Sequence, residues 1–181
     1  MKTAVIGLLA TNEEAICVTD SITEDKKLAE YYLLNYETEL KNYELAKEEF
    51  INYQENKDEN IGGGRSSITS NPTEKAVLLT EQFNRSYEGY RWLKAVEIVQ
   101  RGLGERKNIF IKARRDAEKN SMYSTSKGRK GWVIFVQHRY ADLMEKRFII
   151  PEVYVSERCI RGWWQDIIFN TANIANKLKT T

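Results

Sequence analysis

Apolar side chains recur at spacings of three and four along residues 24–55, at Leu28, Tyr32, Leu33, Tyr36, Leu40, Tyr43, Ala46, Phe50 and Tyr53. On a helix these positions share one stripe, and no Gly or Pro falls between Glu24 and Asn60, so the pattern predicts one long helix. Tyr36, Tyr43 and Phe50 repeat every seven residues. That register suits a dimerisation seam, and equally a helix packed on neighbours in its own chain. Residues 60–71 then break the pattern with Ile61-Gly62-Gly63-Gly64-Arg65-Ser66-Ser67, where three glycines cost too much backbone entropy for a helix. The run lacks the lysine and spacing of a phosphate loop, so it reads as a connection, with Arg65 as a candidate phosphate contact.

Helical periodicity resumes at Asn71-Pro72-Thr73-Glu74, a helix start with a capping residue, a first-turn proline and a following acid. The stripe Ala76, Leu79, Phe83, Tyr87, Tyr90, Leu93, Val96 predicts one helix to about Arg101, ended by Gly102 and Gly104. With the first helix it would form a hairpin with an aromatic interface. A third helix starts near Glu105, with Ile109, Phe110, Ala113 and Ala117 on its apolar side. Arg106, Lys107, Lys112, Arg114 and Arg115 are expected on a basic polar face.

Residues 120–131 form a polar stretch, read as a loop with a basic end. Trp132-Val133-Ile134-Phe135-Val136 could be a strand, but Tyr140, Leu143 and Met144 continue it at helical spacing. Pro151 stops that helix, and a last helix is expected from about Glu157 to Lys179, with Ser156 as its N-cap. Its apolar face is read as Ile160, Trp163, Ile167, Ile174 and Leu178, with Trp163 in the core and Trp164 left for a DNA backbone or a partner. The expected fold is all-α, a long N-terminal helical hairpin followed by a C-terminal helix-turn-helix-like bundle. Its expected divisions are an extension at 1–22, the hairpin at 23–104 and a basic unit at 105–181. The short apolar run at 4–10 reads as a small docking strand or helix turn.

Charge sharpens this picture. The whole chain of 181 residues carries a net charge of only +2. Residues 1–59, however, hold 6 Lys+Arg against 14 Asp+Glu, and residues 60–181 hold 22 against 12. A basic half of this kind suits a polyanionic partner, and the acidic half could mask it until DNA arrives. Cys17 and Cys159 are far apart and lie in no metal-binding or redox motif, which fits reduced thiols in a cytoplasmic protein. Cys159 reads as a small packed side chain. The apolar run near the N-terminus is too short to span a bilayer, so no membrane partner is expected. Catalysis finds no support: His138 is the only histidine and has no motif around it, and no nucleotide, flavin or metal signature occurs. Neither enzyme activity nor a cofactor is expected.

Nucleic-acid binding is the better-supported chemistry. Between Arg101 and Arg161 there are 15 Lys+Arg and 7 Asp+Glu, the kind of excess that phosphate contacts need. Arg158, Arg161 and Gln165 share one side of the first two turns of the last helix. An arginine there can grip guanine and a glutamine adenine in the major groove, while the Ser156-capped N-terminus can approach a phosphate. Arg129 and Lys130, at the basic end of the polar stretch, and Arg147, late in the preceding helix, complete the expected contacts.

The long YYLLNYETELKNYELAKEEF helix, the GGGRSS link, the NPTEKAVLL helix start and the VSERCIRGWWQDIIFNTANIANKL helix together resemble one family. It is the RinA-type phage late-gene transcriptional regulators, whose C-terminal part is similar to region 4 of sigma factors. The resemblance covers roughly residues 28–181. It implies a regulator that activates structural or packaging genes by binding double-stranded promoter DNA in the host-cell cytoplasm, with no enzyme activity and no cofactor. Ser156, Arg158, Arg161 and Gln165 would be the DNA-reading set. RNA polymerase and a second copy of the chain would be further partners. Two other readings are a phage small terminase subunit, which would assemble as a ring, and a helical adaptor whose basic face binds an acidic protein without preference for any DNA sequence.

Overall fold

The computed structural model describes residues 12–59, 72–120, 131–149 and 154–179, and everything said of the structure concerns these. Six helices account for it, with no strand among the described residues: α1 (Asn12–Glu59), α2 (Pro72–Ser86), α3 (Tyr90–Gly102), α4 (Glu105–Lys119), α5 (Trp132–Phe148) and α6 (Glu157–Lys179). The all-α expectation holds, and Trp132–Val136 is helical. The Gly-rich connection with Arg65, the cap at Asn71, the apolar run at 4–10 and the basic pair Arg129 and Lys130 lie outside the described residues.

α1 spans 48 residues and starts at Asn12, inside the stretch expected to be a separate extension. The middle of its expected stripe faces the same chain, while Leu28 and Tyr53 at its ends are exposed. Tyr43 meets Phe83, Tyr87 and Tyr90 at ring-centroid distances of 5.6, 5.4 and 5.7 Å, and Phe50 meets Phe83 at 5.4 Å. The seven-residue register of Tyr43 and Phe50 is thus taken up by α2 and α3, the intramolecular of its two readings.

The helix expected from Pro72 to Arg101 is instead broken at Tyr87-Glu88-Gly89 into α2 and α3. The break is closely packed. A Cβ on Gly89 would lie 2.7 Å from the Tyr32 hydroxyl oxygen and 2.8 Å from the Tyr87 ring, so α1 can approach the elbow only where the side chain is missing. Beyond the elbow, Tyr32 stacks on Trp92 at 6.1 Å, and α3 buries Trp92, Leu93, Ala95, Val96 and Val99. α3 turns into α4 through Leu103 and Gly104. There the Asn108 side-chain amide donates to the Gln100 and Leu103 carbonyls at 3.0 and 3.1 Å, supplying partners that a helix C-terminus lacks.

α4 and α5 run antiparallel, pinned by Arg139–Asp116 at 2.7 Å and by Arg147–Glu105. One apolar cluster then joins α1, α3, α4, α5 and α6 across the boundary expected at 104/105. α6 packs most extensively on α3 and next on α1, and less on α5. In a helix-turn-helix its main support would be the preceding helix.

The basic face expected on α4 is corrected. Arg114 and Arg115 are buried, while Arg106 and Lys112 are exposed. Arg114 pairs with Glu118 at 3.2 Å and lies 3.9 Å from Glu30 of α1. Arg115 donates from Nε to the Leu33 carbonyl at 2.8 Å and lies over the Tyr36 ring at 5.2 Å. Burial pushes both guanidinium pKa values below the ordinary value; neighbouring Glu118 and Glu30, or Glu37 and Tyr36, oppose the shift. Lys119 pairs with Glu37 at 2.8 Å, so part of the acidic–basic division along the chain is neutralised between α1 and α4.

Candidate nucleic-acid interface

α6 begins where the sequence places it. The Ser156 hydroxyl oxygen accepts from the Cys159 N–H at 3.3 Å, an N-cap bond that occupies one free donor of the first turn. Val155, just before the cap, is held by its carbonyl, which accepts from the Gln137 amide of α5 at 2.8 Å. The helix start is therefore fixed on both sides. Tyr154, Ser156, Glu157, Arg158, Cys159, Arg161 and Gly162 are all exposed, so one side of the first two turns faces out while Ile160 and Trp164 on the other side are buried. Cys159 is exposed too, against its expected packing; its position on the helix turns away from Ile160 and Trp164.

The two tryptophans exchange the roles read from sequence. Trp164 is 2 % exposed and donates its indole N–H to Glu30 at 2.8 Å. Trp163 is half-buried, edge-on to Phe110 at 5.6 Å and to Tyr140 at 6.1 Å. The buried arc is Ile160, Trp164, Ile167, Ile168, Thr171, Ala172 and Ala175, rotated from the expected arc because α1 and α3 both press on α6. Sequence spacing alone could not separate adjacent tryptophans on a helix with several neighbours.

With this rotation, Arg158, Arg161 and Gln165 still share an exposed flank. They are not equivalent. Arg158 and Gln165 have no hydrogen bond or ion pair among the described residues. Arg161 pairs with Glu157 at 2.7 Å and sits 5.9 Å from the Trp132 ring. Arg147 is exposed but tied to Glu105, which gives it a role in the α4–α5 hairpin.

Trp132 is the site residue that sequence reading missed. Its ring has Arg161 at 5.9 Å and the buried Arg114 at 4.4 Å, and the Arg114 guanidinium is also 5.2 Å from the Trp164 ring. Arg161, Trp132, Arg114 and Trp164 thus form an alternating ladder from the exposed turn of α6 into the core. Cation–π contacts of this kind are worth about 0.5–2 kcal/mol each, more where water is excluded. The ladder also carries the start of α5 to Arg161, and Trp132 follows the basic run Lys127-Gly128-Arg129-Lys130 after one glycine.

Among the described residues no group of acidic, histidine or cysteine side chains could hold a metal ion, and no helix is long and apolar enough to cross a membrane. His138 is exposed in an open groove between α4 and α5, beside Asp116, Arg139 and Asp142. Comparison of the chain with protein-family models, curated proteins and solved structures found no match.

Proposed function

We propose that the chain binds duplex DNA through the N-terminal turns of α6 and regulates transcription of phage or prophage late genes. One observation carries this reading: Arg158 and Gln165 are exposed and unpaired, two turns apart on one flank of a capped helix that Ile160 and Trp164 hold in the core. An arginine and a glutamine are the residue types that make bidentate contacts with guanine and adenine edges. A rigid mount makes such contacts selective, because the side chains need not be ordered on binding. Arg161, paired and stacked, positions the turn and can offer a donor to a phosphate. The Ser156-capped N-terminus favours a second phosphate. The likeness to RinA-type regulators in the N-terminal helix, the Gly-rich link and the last helix supports the late-gene assignment, with promoter DNA and RNA polymerase as partners.

The test is selection of bound duplexes from a randomised pool by the full-length chain. A recovered consensus that loses one guanine-containing position in Arg158→Ala, and one adenine-containing position in Gln165→Ala, supports the assignment. Recovery of no consensus by the wild type would reject it.

A further inference from the structure

The elbow between α2 and α3 meets the C-terminal end of α6 in an open groove of about 600 Å³. Three cations from three elements line it: Arg85 at the end of α2, Arg91 at the start of α3 and Lys179 at the end of α6. None of them forms an ion pair among the described residues, although Glu88 lines the same groove. Bringing like charges together costs free energy unless an anion joins them, and Glu88 is the one carboxylate among the described residues that line the groove.

The remaining lining is suited to an aromatic ligand. Tyr87 and Tyr90 line the groove and are braced from behind by Tyr43 at 5.4 and 5.7 Å. The Tyr43 hydroxyl donates to Asn84 Oδ1 at 2.5 Å, which fixes the amide and leaves its N–H donors free for a ligand. The elbow is itself closely packed, with Gly89 against the Tyr32 and Tyr87 side chains.

We infer that this groove binds a nucleotide unit, with its phosphate held by Arg85, Arg91 and Lys179 and its base against Tyr87 and Tyr90. Arginine forks match phosphate oxygens, and tyrosine rings stack on any base, so the recognition is of nucleotide chemistry and not of sequence. The inference does not depend on the α6 reading of duplex DNA, since none of its residues belongs to that flank. The ligand can be a free nucleotide or one unit of a single strand.

The experiment titrates the full-length chain with a fluorescent nucleoside triphosphate and, separately, with a short labelled oligothymidylate. The wild type should bind at least one of them. Arg85→Gln/Arg91→Gln should weaken that binding by about tenfold or more, the loss of charge-assisted phosphate contacts. Arg158→Ala/Gln165→Ala should leave it unchanged. Binding of the triphosphate marks a free nucleotide as sufficient; binding of the oligonucleotide alone marks a strand as the ligand. Lys179→Gln, at an exposed helix end, gives the same loss in smaller measure and decides the matter if the double variant fails to fold. Failure of both probes to bind the wild type, or full binding by the groove variants, would overturn the inference.

Discussion

The guanidinium of Arg114 lies 4.4 Å from the centroid of the Trp132 ring, joining the middle of α4 to the first residue of α5 inside the protein. Arg114 has 0 % relative exposure. It touches two tryptophans and reaches two carboxylates, Glu118 and Glu30. A residue that composition counts toward a DNA-binding surface therefore serves the core.

Removing it should be costly. Arg114→Ala leaves Glu118 without its buried partner and opens a space between the two indoles, and should cost roughly 3–5 kcal/mol in urea denaturation. Arg114→Met keeps most of the volume and should cost clearly less. Equal losses in the two variants would mean that packing contributes little and charge pairing dominates.

Gly89 makes a second stability prediction. Its backbone is ordinary right-handed helix, φ −73° and ψ −18°, so the constraint is one of space and not of conformation. Gly89→Ala should lower stability by about 1–3 kcal/mol, the range for overpacking. Combining it with Tyr32→Phe, which removes one of the two clashing groups, should recover part of the loss. A Gly89→Ala protein as stable as wild type would contradict the close approach of α1 to the elbow.

Tyr31 makes a pH prediction. Its hydroxyl donates to Glu39 at 2.7 Å, and this bond, followed by burial and the carboxylate's charge, pushes its pKa up from 10.0 to about 12. The folded value lies above the unfolded one, so the contribution to stability is complete below the unfolded pKa and is lost as pH rises through about 12. Ultraviolet titration should show the Tyr31 phenol ionising late, by comparison with Tyr31→Phe. Glu39→Gln should bring it back toward the ordinary value; no movement would refute the assigned cause.

The helices were legible because their apolar positions follow the helical period, and α6 was legible to its ends because Ser156 and the apolar run from Ile160 mark it. The elbow at Gly89 was not legible: the stripe from Phe83 through Tyr87 and Tyr90 to Leu93 continues without a change of period. The residue that Gly89 packs against, Tyr32, lies more than fifty residues away in sequence. The burial of Arg114 and Arg115 was hidden for a similar reason, since arginine on a helix reads as solvated until tryptophan and tyrosine from other elements enclose it. The candidate interface was legible as residue types, but not in its ranking. Glu157 occupies Arg161 and Glu105 occupies Arg147, leaving Arg158 and Gln165 as the unpaired pair.

The most direct test of the central claim is DNA binding by fluorescence anisotropy across a salt series. It compares wild type with Arg158→Ala/Gln165→Ala on the duplex recovered by selection and on a scrambled duplex. The account predicts that the double variant loses the preference for the selected duplex and keeps a salt-dependent background on both, because base reading and phosphate contact reside in different side chains. Undiminished preference in the double variant, or absence of duplex binding by the wild type at low salt, would contradict the assignment of α6 as the reading element.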